Sequence, residues 1–139
     1  MLKDLEEFIQ NNQEDIIVTG GITDEAISDV EKILGLEFRT EIRNYLYQYG
    51  IIIGYGVEIL GCGKNGESSL VRETKRFREF GLSEEYIVIR NSDEWIYCLN
   101  NNNGIVSSWD RIEKTHLTKA NTLEQYILDE LIEAKDEWD

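Results

Sequence analysis

Proline is absent from the 139 residues, where average usage near 5% would place roughly seven. Glycine and asparagine must therefore set every helix stop and turn. Histidine occurs once and cysteine twice, and His116, Cys62 and Cys98 are scattered with no C-x-x-C spacing. A zinc centre takes about four N, S or O ligands, so no metal site is expected. The spacing does not favour a disulfide either, and Cys98 in its apolar run reads as a small buried hydrophobe. The longest uninterrupted apolar run, Trp95-Ile96-Tyr97-Cys98-Leu99, has five residues, far short of the ~20 residues that span a bilayer. The start, Met1-Leu2-Lys3-Asp4-Leu5-Glu6-Glu7, turns acidic at once and has no apolar signal-peptide core, so the expectation is a soluble, cytoplasmic protein. Positive charge is scarce: 14 Lys+Arg stand against 28 Asp+Glu, a net −14. Binding to nucleic acid or anionic lipid depends on clustered Lys and Arg, so neither is an expected partner.

What is present suffices for a core. Hydrophobic residues make up 41% of the chain, and the length fits one domain spanning 1–139. No period of ~20–50 residues repeats, which excludes a solenoid. Leu2, Leu5, Phe8 and Ile9 form a first amphipathic stripe. After Gly20-Gly21, Thr23 reads as an N-cap with Ile22 and Ile27 at hydrophobic-staple spacing. Val30, Ile33 and Leu34 extend that face to a terminating Gly35. A third helix, Thr40 to Tyr49, carries Ile42, Tyr45, Leu46 and Tyr49 and stops at Gly50. A short strand at Val57, Ile59 and Leu60 follows the Gly54-Tyr55-Gly56 turn, and helical spacing returns from Ser68 to Phe80. Strands are predicted at 86–89, 95–99 and 105–109, the last two joined by the hairpin run Asn100-Asn101-Asn102-Asn103-Gly104. The chain closes on a helix whose Thr122-Leu123-Glu124-Gln125 start reads as a capping box. Helices first, hairpin-linked strands next and helices packed on one side define an α+β fold.

Two motifs carry sharp readings, and each has a plainer one. Gly61-Cys62-Gly63-Lys64-Asn65-Gly66 matches G-x-G-x-x-G between a strand and a helix. Some fifty residues of helix precede it, however, and the following strands are hairpin-linked, whereas dinucleotide sites sit in parallel crossover sheets. A small dinucleotide-binding enzyme is thus a remote alternative, and a glycine-rich loop is the better reading. His116 with Asp110 and Ser107 or Ser108 is the one triad that can be drawn, although triad geometry is not legible in chain order. The plainer reading of His116 is a loop residue. No catalytic, cofactor-binding or metal residue is assigned, and the chain is not expected to be an enzyme.

Charge distribution says more. Thr122 to Asp139 holds seven acids and one lysine, and Leu2 to Asp15 five acids and one lysine, local charges of −6 and −4. The helix from Ser68 instead carries Arg72, Lys75, Arg76 and Arg78, which either pair internally or mark one side of a polarised surface. Trp95 and Trp109 stand beside Asp93, Glu94 and Asp110, so they are either core residues or aromatic anchors with an acidic rim. The charge itself either keeps the protein soluble or steers a cationic partner.

The order of these elements resembles the SUKH superfamily, immunity proteins related to the yeast cell-wall-synthesis regulator. Leu34-Gly35, Phe38-Arg39, Ile42, Tyr45-Leu46 and Tyr49-Gly50 stand where that family has its early signature, and Gly54-Tyr55-Gly56-Val57-Glu58-Ile59-Leu60-Gly61 follows. Tyr97-Cys98-Leu99, Val106-Ser107-Ser108-Trp109-Asp110-Arg111 and Glu133-Ala134-Lys135-Asp136-Glu137-Trp138 resemble the YobK-type antitoxins of Bacillus. Arg39 and Ile51 replace the usual Pro and Gly. The resemblance implies a mostly antiparallel sheet with N-terminal helices, a middle helix and a C-terminal helix packed against it. It also implies an antitoxin that silences a cognate toxin, commonly a nuclease at the end of a secreted LXG-type protein. A nuclease domain is cationic, which suits an acidic inhibitor. The expected contact patch comprises Tyr55, Glu58, Asp93, Glu94, Trp95, Trp109 and Asp110. A regulatory or scaffold module of the cell-wall-synthesis type, without a toxin partner, is the alternative.

Overall fold

The computed structural model describes residues 3–138, so Leu2, expected on the first stripe, lies outside the described residues. The elements run α1 (Lys3–Asn11), β1 (Ile16–Val18), α2 (Asp24–Leu34), α3 (Thr40–Gln48), β2 (Ile52–Gly54), β3 (Val57–Ile59), α4 (Ser69–Arg78), β4 (Tyr86–Asn91), β5 (Ile96–Asn100), β6 (Val106–Asp110), β7 (Thr115–Ala120) and α5 (Leu123–Asp136). The helix signals act as their chemistry dictates. Thr23 caps α2 by accepting from the Ala26 N–H, and Gly35 ends it at φ 70°, a left-handed turn that costs glycine little. Thr122 likewise accepts from the Gln125 N–H at 3.1 Å. The Gln125 amide does not reach back, however, and bonds Asp129 at 2.7 Å, so the expected capping box is half formed.

Two antiparallel sheets share the work. The first has the order β1-β2-β3 and the second β4-β5-β6-β7. They meet where the Leu60 N–H donates to Ile89 O at 2.8 Å. Three strands go beyond the sequence expectation. β1 and β2 are three residues each, too short to show a period. β7 is exposed along almost its whole length, so its sequence, Thr-His-Leu-Thr-Lys-Ala, has no buried face to alternate with a polar one. His116 therefore lies on a strand rather than in a loop, opposite Trp109.

One cluster of buried residues runs through both sheets and all five helices. Tyr45 is wholly buried, and its hydroxyl donates to Ile59 O at 2.8 Å, tying α3 to β3. Leu123, Ile127 and Leu131 are also wholly buried and seat α5 against β3, β7, α1 and α3. Trp138, which continues their spacing, is 56% exposed. Cys62 and Cys98 are both free and buried. Burial pushes the Cys98 thiol well above its usual range, as expected for an inert packing residue.

Candidate functional site

The seven expected contact residues do not form one patch. Asp93, Glu94, Trp95, Trp109 and Asp110 line a single hollow of about 460 Å³ at the tip of the four-stranded sheet. The β4–β5 turn places three of them. The Ser92 N–H closes it onto Trp95 O at 3.0 Å, and Asp93 sits at φ 70°, a left-handed position that short polar side chains tolerate better than bulky ones. Asp110 stops β6 by accepting from the Ile112 and Glu113 N–H groups at 2.8 and 3.2 Å. The two tryptophans part company here. Trp95 is 46% exposed, whereas Trp109 is 3% exposed and stands edge-on to Phe77, with ring centroids 6.4 Å apart. Trp109 is thus floor and Trp95 rim. Arg76 and Arg111 line the same hollow, so it is less acidic than the sequence neighbourhood of Asp93, Glu94 and Asp110 implies.

Tyr55 and Glu58 lie elsewhere. Glu58 projects between the buried Val57 and Ile59, so it faces away from the core side of β3. Tyr55 is buried, and its hydroxyl donates to Asn12 Oδ1 at 2.9 Å. It lines a second groove of about 380 Å³ with Val57, Arg90, Tyr97, the α5 residues Glu130 and Glu133, and Glu137 and Trp138 just past the helix end. Trp138 meets Tyr55 edge-on at 5.9 Å. Arg90 crosses the Tyr97 ring at 5.3 Å and bonds Glu130 at 2.8 Å. Burial works against the Arg90 charge, but the Tyr126 hydroxyl and Glu130 beside it outweigh burial and hold the guanidinium firmly protonated. This groove was not among the expected contact regions, although the acidic C-terminal run was the signal for it. Residues 3–15 carry five acids and one lysine and residues 122–138 six acids and one lysine, local charges of −4 and −5. Helices α1 and α5 pack together, so folding joins the two runs into one face.

The glycine loop has a structural explanation. A Cβ on Gly61 would stand 1.8 Å from Gly50 O, so close backbone approach demands glycine there. The loop's amides are already bonded within the protein: Gly61 N–H to Ser69 Oγ, Cys62 to Gly50 O, Gly63 to Glu67 O and Gly66 to Gly63 O. Few donors remain to cradle a phosphate, and β3 pairs antiparallel with β2 rather than in a parallel crossover sheet. The loop lines a hollow of about 700 Å³ together with α2 and α4, where Ile22, Ala26, Val30 and Val71 supply the apolar walls.

The drawn triad is realised only as a pair. Ser107 Oγ lies 2.8 Å from His116 Nδ1, but the Asp110 carboxylate is committed to its own turn. Ser107 is buried, and His116 stacks on Tyr86 with centroids 4.1 Å apart. Burial lowers the His116 pKa, partly offset by Glu85. The basic residues of α4 largely pair within the protein. Arg72 and Arg76 approach Glu73 at 3.8 and 3.5 Å, and Arg78 donates to Leu34 O and Glu84 O. Among the described residues no group of three or more His, Cys, Asp or Glu is placed to hold a metal ion. No described helix is long and apolar enough to cross a membrane.

A family model described as SMI1-KNR4 cell-wall, SUKH, matches residues 4–132. The chain belongs to the SUKH family. A crystal structure of a protein from Pseudomonas syringae pv. tomato is similar in fold, with a TM-score of 0.75 at 16% identity, covering 92% of this chain and 98% of that one. At that identity the likeness speaks for the shared architecture alone.

Within the SUKH pattern the two departures are accommodated locally. Arg39, in place of the usual proline, is the N-cap residue of α3 and makes no side-chain cap bond. It bonds Glu41 at 2.7 Å and Asn102 O at 2.9 Å instead, which ties the start of α3 to the β5–β6 hairpin. Ile51, in place of glycine, donates its N–H to Tyr49 O and Thr19 Oγ1, and the turn closes without a glycine there.

Proposed function

We propose that this SUKH protein is a non-enzymatic antitoxin that binds a cognate toxin and covers the toxin's basic surface. The partner in this reading is a cationic nuclease domain of an LXG-type toxin, and inhibition is steric and electrostatic, with no chemistry performed by the antitoxin. The observation that carries it is the charge concentrated by folding on the α1–α5 face. A nuclease must display clustered Lys and Arg to hold phosphates, and an opposed acidic face steers association with that same surface. The exposed rim of Asp93, Glu94 and Trp95, with the half-buried Asp110 beside it, supplies a second contact region in this account, with Glu58 on an outer strand face. The family description favours a second reading, a cell-wall-synthesis type regulator without a toxin.

Co-expression with a toxin encoded beside its gene separates the two. Restored growth, with the two proteins co-purifying, is expected. Unrelieved toxicity with no complex would transfer support to the regulatory reading.

A further inference from the structure

The groove between β3 and the C-terminal turns of α5 has the composition of a receptor for one cationic side chain. Three independent features give it negative potential. Glu133 on α5 and Glu137, its C-cap one turn on, whose N–H bonds Glu133 O, both line it and are both exposed. Among the described residues neither forms an ion pair. The groove also sits at the C-terminal end of the 14-residue α5, where unsatisfied carbonyls favour a cation. Its walls are aromatic: Tyr97, Tyr55 and the half-exposed Trp138. Ring faces attract guanidinium groups at about 6 Å or less.

The protein already shows the recognition geometry with a side chain of its own. Arg90, which lines the groove, lies over Tyr97 and bonds Glu130. The groove's other carboxylates, Glu133 and Glu137, and its exposed ring, Trp138, line it without an internal cation of their own among the described residues. Lys135, in the same helical turn, is turned the other way and lies 5.7 Å from the Phe8 ring centroid. The Trp138 wall is backed by Tyr55, which Asn12 fixes through its hydroxyl and which holds a left-handed φ of 52°. Such strain in a non-glycine residue persists only where the surroundings enforce it.

We propose that this groove is the anchor pocket for an arginine side chain of the basic protein partner, the guanidinium lying against Trp138 and bonded by Glu133 and Glu137. The assignment rests on the proposed antitoxin reading for the nature of the partner and adds which surface meets it. Arginine is favoured over lysine because a planar guanidinium stacks on a ring while bonding carboxylates in its own plane.

The test uses the three tryptophan indole N–H signals of the ¹⁵N-labelled full chain, titrated with an acetylated octa-arginine peptide. Trp138→Phe assigns its own signal. The Trp138 indole is expected to shift at the lowest peptide concentrations, with Trp95 moving later or not at all. Glu133→Gln with Glu137→Gln should weaken binding about tenfold, roughly one hydrogen-bonded charge contact. Asp93→Asn with Glu94→Gln should change it less than about twofold, as expected of exposed charges remote from the contact. A Trp95 response with Trp138 unmoved, or undiminished affinity in the Glu133/Glu137 double variant, overturns the pocket. An equal Trp138 response to octalysine overturns the preference for arginine. If the parent protein fails to rescue growth while Trp138 still answers octa-arginine, the antitoxin reading falls and the pocket stands. If the double variant rescues growth and binds octa-arginine as the parent does, the pocket falls and the antitoxin reading stands.

Discussion

The hollow at the sheet tip and the groove beneath Trp138 are made from the same materials and differ in how far the protein neutralises them. At the tip, Arg76 and Arg111 stand among Asp93, Glu94 and Asp110, and one of the two indoles is sealed into the floor. In the α5 groove the internal cation, Arg90, is taken up by Glu130, while Glu133 and Glu137 face solvent beside an exposed ring. Neighbouring acids in a sequence state how much charge exists. Packing decides how much of it is already answered.

The comparison breaks most visibly if α5 is loosened. Leu131 is wholly buried, and Leu131→Ala should cost about 2–5 kcal/mol in chemical denaturation. Its Trp138 indole signal should broaden while that of Trp95 keeps its position. Equal disturbance of both would show that the two hollows are not independent. Tyr55→Phe is a smaller cut at the same groove. It removes the donor from Asn12 Oδ1, an acceptor on a buried residue, and should cost about 1–3 kcal/mol, also read by denaturation.

Charge can be changed at the tip to make it resemble the groove. Its lining has three carboxylates against two guanidinium groups, so Arg76→Gln with Arg111→Gln should raise its affinity for octa-arginine about threefold. That gain should fade at ~0.5 M salt, where the Debye length is well under 8 Å. No gain would mean that the exposed Trp95 rim lacks the geometry to use the freed acids. The smallest effect concerns His116. Burial lowers its pKa from 6.5, so the folded state favours the neutral ring. Its contribution to stability is fully present above pH 6.5 and is lost as pH falls through 6.5 toward the lower folded value. An imidazole titration by NMR should show a midpoint below 6.5; a midpoint above it would mean that Glu85 outweighs burial.

Most of the fold was legible because its signals are local. Thr23, Gly35, Thr122 and the Asn100–Gly104 hairpin each act within a few residues, and each does what its chemistry predicts. β7 was not legible because a strand exposed on both faces carries no alternation, and β1 and β2 are too short to show any. At the candidate site the sequence brought together Asp93, Glu94, Trp95, Trp109 and Asp110, which two adjacent turns do gather. It could not separate the exposed Trp95 from the buried Trp109, since each stands beside an acid, Glu94 before Trp95 and Asp110 after Trp109, at the end of a strand pattern. Tyr55 was drawn into that patch by composition, whereas its partners, Asn12 and Trp138, lie 43 and 83 positions away. The charge runs at both ends were plain in the sequence; that α1 and α5 pack them into one face is a fact of tertiary structure.

The central claim, an acidic face matched to a basic protein, is tested most directly by stopped-flow association with the isolated basic domain of the neighbouring toxin across ionic strengths. Electrostatic steering predicts a rate near ~10⁸ M⁻¹s⁻¹ at low salt, falling at least tenfold as salt rises. A rate near ~10⁵–10⁶ M⁻¹s⁻¹ that stays flat across the same range would contradict it.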